Sequence, residues 1–294
     1  MKIAAAAYPL DYFEDFAAYA AKLTAWVETA AGNGADLLVF PEYGSMELAS
    51  LGGRNVAADL EAALHEVARH HPAVDALHRD LAARHGVYIL AASAPFFTGP
   101  RPVNRAHFYG PNGLMGYQDK QIMTRFEREI WDVVPGNGLT LFDTPLGKVG
   151  VIICYDSEFP LLSQHLVAAG AEILLVPSCT DSLAGFSRVR IGAMARALEN
   201  QCISVQAPTV GLCDFCPAVD ENVGAAAIYG PPDKGFPATG ILAETRLNQA
   251  GWAYAEIDLT LVHHVRRSGG VLNHSHWPEQ LDRIAPPVAI VTVR

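Results

Sequence analysis

Val149-Gly150-Val151-Ile152-Ile153-Cys154-Tyr155-Asp156-Ser157-Glu158-Phe159-Pro160 is the stretch from which the rest of the 294-residue chain can be read. An apolar run of strand length stops at a thiol, a polar turn follows, and Pro160 opens a helical pattern to about Ala169. An apolar run bounded in this way suits a strand covered on both faces, as in sheets flanked by helices. A thiol at a strand–turn–helix junction can be presented as a nucleophile beside backbone N–H groups. A helix N-terminus or a nearby lysine would also favour its thiolate. On local pattern alone, a cysteine packed in the core accounts for Cys154 equally well.

The same alternation extends in both directions. Ile3–Tyr8, Leu37–Phe40, Val87–Ala94, Ile173–Pro177, Ile203–Thr209, Ala225–Tyr229 and Gly251–Asp258 read as strands, and Arg105–Tyr109 with Gly113–Asp119 as a hairpin. Between them lie helical patterns at Tyr12–Asn33, Ser187–Asn200 and Leu60–His85, the last broken near Pro72. This order predicts an α/β fold with helices over a mixed sheet. The Pro-, Gly- and Asp-rich stretch Cys213–Lys234 reads as the longest loop, and the chain after Asp258 as irregular. One domain over 1–294 is expected, with a core to about residue 260 and a C-terminal tail from about 261.

Composition narrows the function. Half the residues are hydrophobic, 18% are charged, and the net charge is −10, which argues against disorder. The acidic balance also argues against nucleic-acid binding and against polybasic membrane attachment. No run of ~18 uncharged apolar residues predicts a membrane span. The short apolar start Ile3–Leu10 is followed at once by Asp11, Glu14 and Asp15, so it reads as a first strand rather than a signal peptide. Five cysteines, at 154, 179, 202, 213 and 216, are an odd count. One at least stays unpaired, and a reducing, cytoplasmic setting is expected.

Two further strand ends carry reactive side chains: Glu42, after Val39-Phe40-Pro41, and Lys120, after Tyr117-Gln118-Asp119. Taken singly, a solvated loop acid and a surface lysine explain them. Taken in order, Phe40-Pro41-Glu42, Lys120 and Cys154-Tyr155-Asp156-Ser157-Glu158-Phe159-Pro160 resemble the nitrilase, or carbon–nitrogen hydrolase, superfamily in its amidase-like branch. Gly34–Glu42, Leu146–Gly150, Gly170–Pro177, Arg196–Gln201 and Ala255–Leu259 extend the resemblance over nearly the whole chain.

The resemblance implies an α-β-β-α four-layer sandwich with two mixed sheets, and a homodimer or higher oligomer formed through Pro160–Ala169 and Ser187–Asn200. It implies a catalytic set of Glu42, Lys120 and Cys154 that hydrolyses a small amide or nitrile through a thioester, with no metal or organic cofactor. Many relatives have a second glutamate after the lysine; Glu129 is placed first here, by its distance to Pro135-Gly136, and Glu127 second. Tyr43, Tyr155, Cys179, Thr180 and Asp181 flank strand ends near the site and are expected to line the pocket. Relatives acting on carboxylate-bearing substrates carry arginine just after the Cys-x-Asp segment. Ser157 and Glu158 stand there in this chain, so anionic amides are expected to be poor substrates, unless Glu158 faces solvent or a subunit interface. N-Carbamoyl hydrolysis and a non-catalytic or redox-sensing protein remain alternative readings.

Some patterns are set aside. His65 and His70 are five residues apart and miss the shared helical face of a zinc motif. Cys213-Asp214-Phe215-Cys216 lacks a second ligand pair. His263, His264, His274 and His276 lie in the tail, and Arg266 and Arg267 read as structural residues of it.

Overall fold

Alternation in the first strand shows how the core is divided. In Lys2–Pro9 (β1), Ile3, Ala5 and Ala7 join one hydrophobic cluster, with Val151, Leu175 and Val205 among its members. Ala4, Ala6 and Tyr8 point the other way, into a second cluster that contains Leu23, Val27 and Leu64. The period of two places successive side chains on opposite faces of the sheet, so β1 is apolar on both. The computed structural model describes residues 1–292.

After β1 come α1 (Phe16–Gly32), β2 (Leu37–Val39), a tight helical turn, and α2 (Arg54–Ala57), α3 (Leu60–Arg69) and α4 (His71–His85). Then follow β3 (Tyr88–Leu90), β4 (Ala94–Phe97), the hairpin β5 (Pro102–Gly110) and β6 (Gly113–Asp119), β7 (Leu141–Thr144) and β8 (Gly147–Val151). The remainder is α5 (Pro160–Ala168), β9 (Ile173–Ser178), α6 (Leu183–Asn200), β10 (Ile203–Leu212), β11 (Glu221–Asn222), β12 (Ala227–Tyr229), β13 (Ile241–Glu244), β14 (Gly251–Glu256), α7 (Leu259–Ser268), α8 (Asn273–His276) and α9 (Glu279–Ile284).

The strands form a curled, mixed sheet. In one part β1 lies between antiparallel β14 and parallel β2, β2 runs parallel to β3, and β5 is antiparallel to β3, β4 and β6. In the other, β8, β9 and β10 are parallel, with β7 antiparallel on β8 and β12 and β13 antiparallel beyond β10. Among the described residues the strand ladders of the two parts join only where Tyr8 and Pro9 pair with Thr209 and Val210.

Three expectations need correction. The chain after Asp258 is not irregular: α7 begins there, with the Asp258 carboxylate accepting from the Thr260 amide at 2.9 Å. Val262 and Val265, three apart, are its buried stripe. The span Val87–Ala94 is two strands, because β3 ends at Leu90 and the chain turns before β4. The Cys213–Lys234 loop carries the short β11 as well as β12. Among the described residues no helix is long and apolar enough to cross a membrane.

Candidate active site

Pro41 cannot donate to a ladder, so β2 gives way to a turn there. Tyr43 takes a left-handed conformation (φ 53°), and its amide donates to Ser93 Oγ at 2.9 Å. The Glu42 side chain is thereby directed into the protein, where it is 1% exposed. Lys120, one residue past β6, is anchored by its own backbone: its N–H donates to Asn104 O, and its C=O accepts from Gly136 N. A Cβ on Gly136 would lie 2.4 Å from Asp119 Cβ, so only glycine permits this approach.

Cys154 follows β8 at φ 50°, a conformation uncommon for a non-glycine residue. Three side chains hold its turn. Ser157 Oγ donates to Cys154 O at 2.6 Å, and Arg196 Nη1 to Ser157 O at 2.8 Å. The Asp156 carboxylate accepts from the amides of Gln121, Ile122 and Ile153. Asp156 thus ties the thiol's turn to the residues after Lys120.

These strand ends converge. Lys120 Nζ lies 2.7 Å from Glu42 Oε1 and 2.7 Å from Glu127 Oε2. Asn104 Nδ2 donates to Glu42 Oε1 at 2.9 Å, and the Cys179 amide to Glu42 Oε2 at 3.0 Å. Glu127 also accepts from Tyr43 OH (2.8 Å) and from the amide and hydroxyl of Thr124 (both 2.8 Å). Cys154 Sγ lies 3.8 Å from Cys179 O. Glu42, Lys120, Glu127 and Cys154 all open onto one cavity of about 600 Å³.

Burial sets the proton distribution. It opposes the charge on Lys120, but the adjacent Glu127 and Glu42 carboxylates outweigh it and hold the ammonium above the ordinary lysine value. Glu127 is likewise opposed by burial, yet Lys120 and its hydrogen bonds keep it below the usual carboxylate range. Glu42 goes the other way: burial, with Glu127 adding to it, lifts its carboxyl to about 7 against the pull of Lys120. Burial and the Glu42 charge push the Cys154 thiol well up. Lys120 and Glu127 therefore form a standing ion pair, while Glu42 is the carboxyl poised to exchange a proton near neutrality.

The structure reverses the order of the two glutamates. Glu127 contacts Lys120, whereas Glu129 is exposed and pairs with Arg125 at 2.8 Å. Residues two apart on a helical turn face different ways, so once Glu127 enters the site, Glu129 leaves it. Tyr43, Tyr155, Glu158, Cys179, Thr180 and Asp181 all line the cavity. Glu158 is only partly exposed there and lies 3.6 Å from Arg188. Asn104, Thr124 and Arg188 were not singled out in the sequence. Thr124 stands three residues before Glu127 and exchanges hydrogen bonds with it, the local Thr-x-x-Glu pattern of a capping box, whereas only pairing across strands and helices brings Asn104 and Arg188 to the site.

A curled mixed sheet with a buried acid, lysine and thiol at the ends of its strands defines a class, and a family model agrees. The carbon-nitrogen hydrolase model matches residues 2–267, and the chain belongs to that family. Among curated relatives, a probable hydrolase, YhcX, of Bacillus subtilis is 30% identical over 92% of this chain and 52% of its own length. A deaminated glutathione amidase of Yersinia enterocolitica is 36% identical over 45% of this chain and 51% of its own length. The chain thus spans about half the length of these two relatives. The omega-amidase NIT2 of Danio rerio is 26% identical over 82% of this chain and 83% of its own. The fold matches that of a carbon-nitrogen hydrolase from Helicobacter pylori G27 (TM-score 0.74, 20% identity, 97% of this chain and 95% of that one). It also matches that of an amidase from Nesterenkonia sp. AN1 bearing acrylamide added to its active-site cysteine (TM-score 0.68, 22% identity, 94% and 99%).

Proposed function

We propose that this protein is a cysteine-dependent amidase that hydrolyses a small amide through a thioester, with Glu42, Lys120, Cys154 and Glu127 as its catalytic set. The observation that carries this reading is the placement of Lys120 Nζ at 2.7 Å from both Glu42 and Glu127, in the cavity that Cys154 also lines. Glu42 acts as general base and takes the thiol proton as sulfur attacks the amide carbon. A carboxyl poised near 7 suits that task at neutral pH. The Lys120 ammonium and the Tyr155 amide stabilise the developing oxyanion; one such donor is worth roughly 10²–10³ in rate. Protonated Glu42 then delivers its proton to the leaving amine, ammonia departs, and water, activated by Glu42, cleaves the thioester. Glu127 keeps Lys120 charged and in place.

Replacing Cys154 by alanine tests this directly. Ammonia release from a panel of small amides should cease, and the covalent adduct found by intact mass in the parent protein should vanish. Retained turnover in Cys154→Ala overturns the reading. Nitriles and N-carbamoyl compounds belong in the same panel, since both present an electrophilic carbon to the thiolate.

Neutral or amine-bearing amides are the proposed substrates. Among the described residues, the two arginines lining the cavity, Arg125 and Arg188, each have a carboxylate partner in Glu129 and Glu158. Asp181, Asp220 and Glu221 line the same cavity and form no ion pair among the described residues. A substrate carboxylate therefore meets excess negative charge. Alpha-ketoglutaramate should be turned over at least tenfold more slowly than a cationic amide of similar size, and equal rates would refute the preference.

Assembly is proposed on similar grounds. An α-β-β-α arrangement fits the two hydrophobic clusters on opposite faces of β1. Dimerisation through α5 and α6 fits the exposure there of Leu161 (71%) and Ile191 (68%). Light scattering at micromolar concentration should give twice the chain mass or more.

A further inference from the structure

Asn104 sits on β5, fully buried, and touches two members of the site by different parts of itself. Its side-chain amide donates to Glu42 Oε1 at 2.9 Å, and its backbone carbonyl accepts from the Lys120 amide at 2.9 Å. Its other side-chain atom, Oδ1, is buried without a hydrogen-bond partner. An orphaned buried carbonyl is a cost to the folded state. Packing alone does not explain an amide here, because leucine has nearly the same size and leaves nothing unsatisfied.

We propose that Asn104 is a positioning residue that sets the proton affinity and aim of Glu42. Glu42 Oε1 accepts from Lys120 and Asn104, while Oε2 accepts from the Cys179 amide. These bonds fix the carboxylate plane, so that a lone pair remains directed to the thiol. The Asn104 N–H favours the ionised form, since a donor stabilises a carboxylate over a carboxylic acid. It thus offsets part of the lift that burial gives Glu42, and it adds no charge that would compete with the ion pair of Lys120 and Glu127. The bond from Lys120 N to Asn104 O keeps base and ammonium in register, because one residue holds both.

The proposal rests on Glu42 being the base for Cys154, and one experiment separates the two claims without any amide substrate. The rate at which iodoacetamide alkylates Cys154 is followed by peptide mass against pH, in the parent protein and in Glu42→Gln, Asn104→Leu and Asn104→Ser. The parent rate should rise through an inflection near neutrality, and Glu42→Gln should abolish that inflection. Asn104→Leu should move it upward by about one pH unit. Alkylation then slows about tenfold below the inflection and converges with the parent above it. The melting temperature should stay within a few degrees of the parent, because the lost bond is balanced by removal of the orphaned carbonyl. If Asn104→Leu does not fold, Asn104→Ser, whose hydroxyl is too short to reach Glu42, should show the same upward shift. A Glu42→Gln profile identical to the parent's defeats the assignment of Glu42. A Glu42→Gln profile that differs, with Asn104 profiles superimposed on the parent's, defeats the role of Asn104 alone.

Discussion

At Lys120 an ammonium and two carboxyl groups meet in a buried cluster. Breaking a buried pair by removing one partner costs about 3–5 kcal/mol, because the other is left uncompensated. Glu127→Gln should therefore reduce kcat at least a hundredfold and lower the lysine's proton affinity, which a falling alkaline limb in the pH–rate profile would reveal. Glu129→Gln removes only an exposed pair with Arg125, which solvent screens. It should leave steady-state rates on neutral amides within twofold. The pH dependence follows from the same shifts. Glu42 must be ionised to take the thiol proton, and burial lifts it to about 7. Its active fraction therefore grows as pH rises through that value and falls tenfold per unit below it. Lys120, held above its ordinary value, stays charged throughout. The kcat/KM profile should show an acid limb near 7; a flat profile from pH 5 to 8 contradicts Glu42 as base. Glu42, Lys120 and Cys154 were legible as candidates through their order, which resembles that of the carbon–nitrogen hydrolases; the strand-length runs before them left a loop acid, a surface lysine and a core thiol equally good readings. The choice of Glu127 over Glu129 was not, since two acids two positions apart differ only in where their turn is aimed.

Elements carry the next level of constraint. Helix α6 approaches the Cys154 turn so closely that a Cβ on Gly192 would lie 2.8 Å from Ser157 O, a backbone atom with little room to yield. Gly192→Ala should cost about 1–3 kcal/mol by overpacking, and kcat should fall because the displaced turn carries the thiol. Urea unfolding and a rate assay check both halves. Strands β8 and β9 were readable because Val149–Ile153 and Ile173–Val176 are apolar throughout, as strands covered on both faces must be. Helix α7 was not, because of its apolar residues only Val262 and Val265 are buried, and two histidines and two arginines stand beside them. Its docking depends on long-range bonds: Arg266 donates to the carbonyls of Ala171, Asn200 and Gln201, and Gln201 Nε2 to Val265 O and Val271 O. Arg266→Ala should speed amide hydrogen exchange across 259–272 while leaving β8 and β9 protected.

Across the whole molecule the α/β alternation was plain in the sequence, and the way its strands divide was not. Nothing local indicates that β1 pairs along most of its length with β14 and meets β10 at Tyr8 and Pro9. Pairings of this kind are decided by register and by which apolar faces remain to be covered. The site spans that division. Glu42 and Lys120 come from one part of the sheet, and Cys154 and Cys179 from the other.

That division has a meaning in time as well as in space. Glu42 reaches Lys120 across 78 residues and the Cys179 amide across 137, and contacts of such separation carry a loop-closure cost that slows folding. During synthesis Glu42 and Lys120 emerge before Cys154, and the parallel strands that carry the thiol still have to join them. Until they do, the cysteine is an ordinary sulfhydryl with no base beside it. Catalysis is thus a property of the finished fold: a nascent or partly unfolded chain carries a thiol of ordinary proton affinity, open to alkylation or oxidation, but no base or ammonium with which to turn over an amide.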